Sequence, residues 1–164
     1  MADSYLQYGI DGVIRIAAET LETLKNNLQS ELLDQTQLDI AYLESLLHVW
    51  KHFRQFVADH MVLALECAKQ ETSDTKKKRY EKIAKICQNL TINKPNTFCE
   101  ALQLFWFTYL FRSPFGAGCI GRLDQLLYPF YKHDCEMGIW DQQEAEKMLE
   151  EMFTRMNEIN TGDT

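Results

Sequence analysis

The strongest constraint on this chain lies between Asp39 and Glu71, where apolar residues recur at Ile40, Leu43, Leu47, Trp50, Phe53, Val57, Met61, Ala64 and Ala68. Steps of three and four place these side chains on one face of a continuous α-helix. Thr36 followed by Asp39 reads as its opening cap, because a side-chain oxygen accepts one of the unpaired amides of a first turn. At ~1.5 Å per residue such a helix is about 50 Å long, more than a small domain covers on its own. Its apolar surface calls for partners beyond its neighbours in sequence.

Shorter helices follow the same logic. Ile10 to Leu24 presents Ile10, Val13, Ile14, Ala17, Leu21 and Leu24 on one face, and Lys76 to Leu90 presents Tyr80, Ile83, Ile86, Cys87 and Leu90. Asn93-Lys94-Pro95-Asn96 breaks the pattern, and Thr97-Phe98-Cys99-Glu100 then reads as a capping box. Asp141-Gln142-Gln143-Glu144 repeats that box after Gly138, a C-terminal cap for the preceding helix. The last helix carries Met148, Met152 and Met156 with Leu149 and Ile159, methionines that read as adaptable core filler rather than a ligand box. Leu102 to Phe111 is apolar all round, so periodicity alone leaves helix and strand open there; the capping box before it favours helix. A segment apolar on every side is surrounded by protein on every side. With no repeat, low-complexity tract or linker, residues 1–164 read as a single all-α segment of about five to six helices.

Composition narrows the function. With 24 acidic against 17 basic residues the net charge is -7, which disfavours nucleic acid as a partner, since phosphate binding draws on clustered positive charge. The longest apolar run, Leu104 to Phe111, is far short of the ~20 residues of a membrane span. Five widely spaced cysteines (Cys67, Cys87, Cys99, Cys119, Cys135), with no C-x-x-C pair, look like free thiols of a reducing compartment. The opening Met1-Ala2-Asp3-Ser4-Tyr5 lacks a basic patch and an apolar run, so the expectation is a cytoplasmic protein.

Three constellations invite chemistry. Gly116-Ala117-Gly118-Cys119-Ile120-Gly121 is formally G-x-G-x-x-G, but a dinucleotide site also needs the strand context of a parallel sheet, and that context is missing. A glycine-rich connection passing close to other backbone is the plainer reading. Glu44, His48 and His52 share helical spacing suited to a metal ion, without an H-E-x-x-H pattern; a solvated polar face is the reading preferred here, and no metal is assigned. Lys76-Lys77-Lys78-Arg79, flanked by acids, reads as the wet edge of a helix.

Two longer motifs carry a family resemblance. Lys94-Pro95-Asn96-Thr97-Phe98-Cys99-Glu100-Ala101-Leu102-Gln103-Leu104-Phe105-Trp106-Phe107 resembles the P-x-T-F-x-E-A-L-Q-x-F-W-F segment of glycyl radical enzymes of the pyruvate formate-lyase type. Gly121-Arg122-Leu123-Asp124-Gln125-Leu126-Leu127-Tyr128-Pro129 resembles their G-R-x-D-Q-x-L-Y-P segment, in the form typical of the dehydratase and lyase branch. Glu144-Ala145, Leu149-Glu150 and Asn157-Glu158 keep the spacing of the next helix, and the likeness extends back to Gly9-Ile10-Asp11-Gly12.

The resemblance implies an internal helical portion of a much longer enzyme, similar to the N-terminal helical part of the family's α/β barrel. In that branch a Ser or Thr two residues before the Gly-Arg pair lies at the substrate cavity, and the following Asp adds polar contacts; here these places are Cys119 and Asp124. A thiol is a weaker hydrogen-bond donor than a hydroxyl, so Cys119 departs from the pattern. The resemblance also implies a glycyl radical, installed by a separate S-adenosylmethionine and iron–sulfur activase, that generates a cysteine thiyl. The family's G-C-x-E and R-V-x-G-Y/F loops for these steps do not occur in the 164 residues, and Cys119 is not the thiyl cysteine. The expectation is a chain without catalytic residues of its own, inactive alone, that associates with itself or with the remainder of an enzyme. The alternative is a stand-alone helical interaction module.

Overall fold

The computed structural model describes residues 4–26, 33–112 and 121–161, and these form six α-helices with no strand among them. They are α1 (Ser4–Asn26), α2 (Leu33–Gln70), α3 (Asp74–Ile92), α4 (Phe98–Arg112), α5 (Leu123–Glu136) and α6 (Gln142–Thr161). The chain divides into two compact units, residues 1–95 with α1 to α3 and residues 96–164 with α4 to α6.

In the first unit, α2 is the backbone against which α1 and α3 pack. The face read from the sequence is the buried one: Leu47, Phe53, Val57, Ala64 and Ala68 are buried, and Ile40, Leu43, Trp50 and Met61 are half-buried. The start differs from expectation. Helix α2 begins at Leu33, so Thr36 and Asp39 lie within it rather than capping it. Asp39 instead accepts the side-chain amide of Gln35, one turn earlier, at 3.1 Å. Such i, i+4 pairs support a helix interior and mimic a cap in sequence.

Helix α1 is broken at Gly9, whose φ of 73° and ψ of 174° are non-helical; regular helix resumes at Ile10, where the apolar periodicity begins. Backbone with these angles is open essentially to glycine alone. Space also demands glycine, because a Cβ here would lie 2.7 Å from Lys94 Cα and 2.9 Å from the Asn93 carbonyl oxygen. Ion pairs Arg54–Asp11 (3.1 Å) and Lys25–Glu44 (2.7 Å) join α1 to α2 on the solvent side. Exposed pairs of this kind add less than about 1 kcal/mol each, so apolar burial around Ile10, Val57, Cys87 and Leu90 carries the unit. Between α2 and α3, the Glu71 carboxylate accepts the Thr72 and Ser73 amides, both at 3.0 Å. Those amide bonds hold its carboxyl below the ordinary carboxylate range.

In the second unit the ambiguous apolar segment is helix α4, and the capping box before it closes as read. The Glu100 amide donates to Thr97 Oγ1 (3.2 Å), while Glu100 Oε2 accepts the Asn96 and Thr97 amides (2.8 and 3.3 Å). No residue from Phe98 to Phe111 is exposed, and Trp106 is half-buried, stacked on Tyr109 with ring centroids 5.9 Å apart. Helix α5 runs through Pro129, which lacks the amide that would bond the Gln125 carbonyl one turn earlier. Its C-terminal end is closed by Gly138 (φ 68°), two residues beyond Glu136. There the Ile139 amide donates to the Asp134 carbonyl (2.9 Å) and the Gly138 amide to the Cys135 carbonyl (3.1 Å), a Schellman closure. The second box opens α6: the Glu144 amide donates to Asp141 Oδ1 (2.8 Å) and the Asp141 amide to Glu144 Oε2 (3.2 Å). Ala145, Met152 and Met156 are buried along α6, consistent with methionines used as filler.

Candidate functional site

The second motif is built around the first turn of α5. Arg122 caps the helix and Asp124 is its first acidic residue, a charge favoured at the positive end of the helix dipole. The guanidinium grips the carboxylate side-on, Nε to Oδ1 at 3.0 Å and Nη2 to Oδ2 at 2.8 Å. Chiefly through these hydrogen bonds, Asp124 is held below the ordinary carboxylate range and Arg122 is raised in turn. Both side chains are well exposed, so Asp124 is an ionised, pre-aimed acceptor whose two oxygens are engaged by its own neighbour. Cys119, the other position that the resemblance marks as an expected polar contact, and most of the glycine-rich stretch lie outside the described residues.

Asp124 also edges a groove of about 350 Å³ between α5 and α6, floored by Phe98, Leu127 and Ala145 and flanked by Tyr128 and Phe153. The lining is almost wholly apolar, the usual character of a ligand or docking pocket. Tyr131 in its wall has a phenol raised above its ordinary value, first by its hydrogen bond with Cys135, then by burial and the charge of Glu146.

Asp134 is the polar residue that the motifs did not single out. It is fully buried, and its Oδ2 accepts the amide of Phe98, the first residue of α4, at 2.8 Å. Its Oδ1 lies 3.1 Å from His133 Nδ1. A carboxylate at a helix N-terminus satisfies an orphan donor and meets the positive end of the dipole. The signal was present in the sequence: Asp134 continues the face of Leu123, Leu127 and Tyr131 and is an acid in an apolar register.

The histidine constellation does not converge. Glu44 is engaged by Lys25, His52 Nδ1 lies 2.9 Å from the His48 carbonyl oxygen, and the two imidazoles rest against one another with centroids 4.2 Å apart. Among the described residues no group of three or more His, Cys, Asp or Glu side chains is placed to hold a metal ion. Nor does any described helix have the length and apolarity to cross a membrane. Lys76, Lys77, Lys78 and Arg79 are all exposed.

Comparison with known proteins sets this geometry in context. A family model described as pyruvate formate lyase-like matches residues 2–164. Trans-4-hydroxy-L-proline dehydratase of Clostridioides difficile is 37% identical over 98 residues, covering 57% of this chain and 12% of that protein. A probable dehydratase of Escherichia coli is 30% identical over 159 residues, covering 94% of this chain and 19% of its own length. The glycerol-bound, B12-independent glycerol dehydratase of Clostridium butyricum superposes with a TM-score of 0.78 at 25% identity, over 92% of this chain and 18% of that one. The chain thus spans less than a fifth of the length of the relatives it matches.

Proposed function

Because the chain belongs to the pyruvate formate lyase-like family of glycyl radical enzymes, we propose that it acts as one helical segment of a dehydratase or lyase and is not a catalyst alone. The observation that carries this reading is the near-complete superposition on a glycerol dehydratase of which the chain matches only 18%. The family's radical and thiyl loops have no counterpart in the 164 residues. No hydrogen-abstraction step is therefore routed through this chain.

What its residues supply is placement. The Phe98 amide held by Asp134 fixes the start of α4 against the end of α5, and Arg122 fixes the orientation and ionisation of Asp124. In a complete enzyme Asp124 and Cys119 are the proposed polar contacts at the substrate cavity. A stand-alone interaction module is the second reading, favoured by the exposed Leu38, Tyr42 and Leu63 of α2.

Electron paramagnetic resonance tests the main reading. After anaerobic incubation with reduced activase and S-adenosylmethionine, the 164-residue chain is expected to give no glycyl radical doublet and no diol dehydration. A doublet from this chain alone overturns the proposal.

A further inference from the structure

We propose that His48 and His52 form a two-imidazole site for a borderline divalent cation of the zinc(II) or nickel(II) type, with water at the remaining positions. The proposal does not depend on the segment reading, since both ligands lie on one helix of the first unit. The trio read from the sequence loses Glu44, whose carboxylate is taken by Lys25 at 2.7 Å. What remains is a pair of exposed histidines one helical turn apart on α2. Sequence alone favours a solvated face there, and the contact between the two rings changes that reading. Imidazole suits zinc and nickel, and two imidazoles on consecutive turns of one helical face can bind the same ion.

Distance supports the pair. Two imidazoles that share an ion through nitrogens at about 2.0–2.1 Å have ring centres about 4.5–5 Å apart, for angles from a right angle to tetrahedral. The rings of His48 and His52 are 4.2 Å apart at their centres and tilted by 45°. Parting them by less than about 1 Å is within the reach of side-chain rotation and asks nothing of the helix. The tautomer is also suitable. His52 Nδ1 lies 2.9 Å from the His48 carbonyl oxygen. A carbonyl only accepts, so Nδ1 carries the hydrogen and Nε2 keeps its lone pair, the arrangement that orients ligating histidines. Among the described residues neither ring nitrogen of His48 is hydrogen-bonded, so no bond is lost when it ligates. His60 is a contrast within the same helix. Its Nδ1 meets the Phe56 carbonyl oxygen at 2.8 Å in the same way, but its ring rests on Phe56 and not on a second imidazole. The net charge of -7 adds a general attraction for cations.

The test uses the untagged 164-residue chain and nickel(II) as probe, because a paramagnetic ion marks the side chains it touches. Calorimetric titration is expected to show one ion per chain. Nuclear magnetic resonance is expected to show the ring protons of His48 and His52 broadened before those of His60 and His133. His48→Gln and His52→Gln, both at exposed positions, should each weaken binding about tenfold or more, with circular dichroism unchanged. His60→Gln should leave the affinity as it was. Binding undiminished by the His48 and His52 variants places the ion elsewhere, on thiols for example, and overturns the proposal. So does broadening shared equally by all four histidines, the mark of an adventitious ion only, and so does an absence of binding at a large excess of nickel.

Discussion

Gly9 carries two independent demands, a positive φ with extended ψ and the backbone of Asn93 and Lys94 standing where a Cβ would lie. An added methyl has no flexible side chain to push aside, because what it meets is main chain. Gly9→Ala is therefore expected to lower unfolding stability by about 2–4 kcal/mol in urea titration. Cys87 gives a second residue-scale expectation. Burial raises its thiol from 9.0 to about 11. The unfolded chain then loses this proton at lower pH than the folded one, so the folded state binds more protons between those values. Stability is fully present below pH 9 and falls as pH rises toward about 11, by roughly 2 kcal/mol at full ionisation. Cys87→Ala should flatten that slope in denaturation midpoints measured across the same range.

Local signals were legible where the chemistry is local. Both capping boxes and the Gly138 closure appear in the sequence because their partners lie three to five residues apart. The apolar face of α2 was equally readable. Its start was not, since Thr36 and Asp39 imitate a cap while Gln35 and Asp39 pair inside the helix. Asp134 was half legible: its register places it on the buried face, but its partner, the Phe98 amide, is 36 positions away, and no spacing rule reaches that far. Substituting it is expected to be costly at the element scale. Asp134→Ala leaves a buried amide at the α4 N-terminus unsatisfied, for a loss of about 1–3 kcal/mol, whereas Asp134→Asn keeps an acceptor and should lose less. Amide hydrogen exchange at Phe98 distinguishes this from general loosening: it should accelerate strongly in Asp134→Ala and little in Asp134→Asn.

At the scale of the molecule, the long helix presents more apolar surface than its own unit covers. Leu38, Tyr42, Val49 and Leu63 are exposed, and with half-buried Phe56 they fall within about 60° of one another around α2, beside the buried face. From Leu38 to Leu63 the stripe runs about 38 Å at ~1.5 Å per residue. Such a row is longer than the scattered exposed leucines of an ordinary monomer. Expressed alone, the chain should self-associate at micromolar concentration by antiparallel pairing of α2 stripes. Two effects oppose each other there, apolar burial favouring the pair and the net charge of -7 on each copy resisting it. Salt separates them: raising ionic strength screens the repulsion and leaves the burial, so light scattering should report a larger associated fraction as salt increases. Leu38→Asp with Leu63→Asp should return the chain to monomer at every salt concentration while its helix content stays unchanged. A monomer from the unaltered chain at high salt would mean that the stripe is too weak to need covering, and the argument for a missing partner along α2 would fail with it.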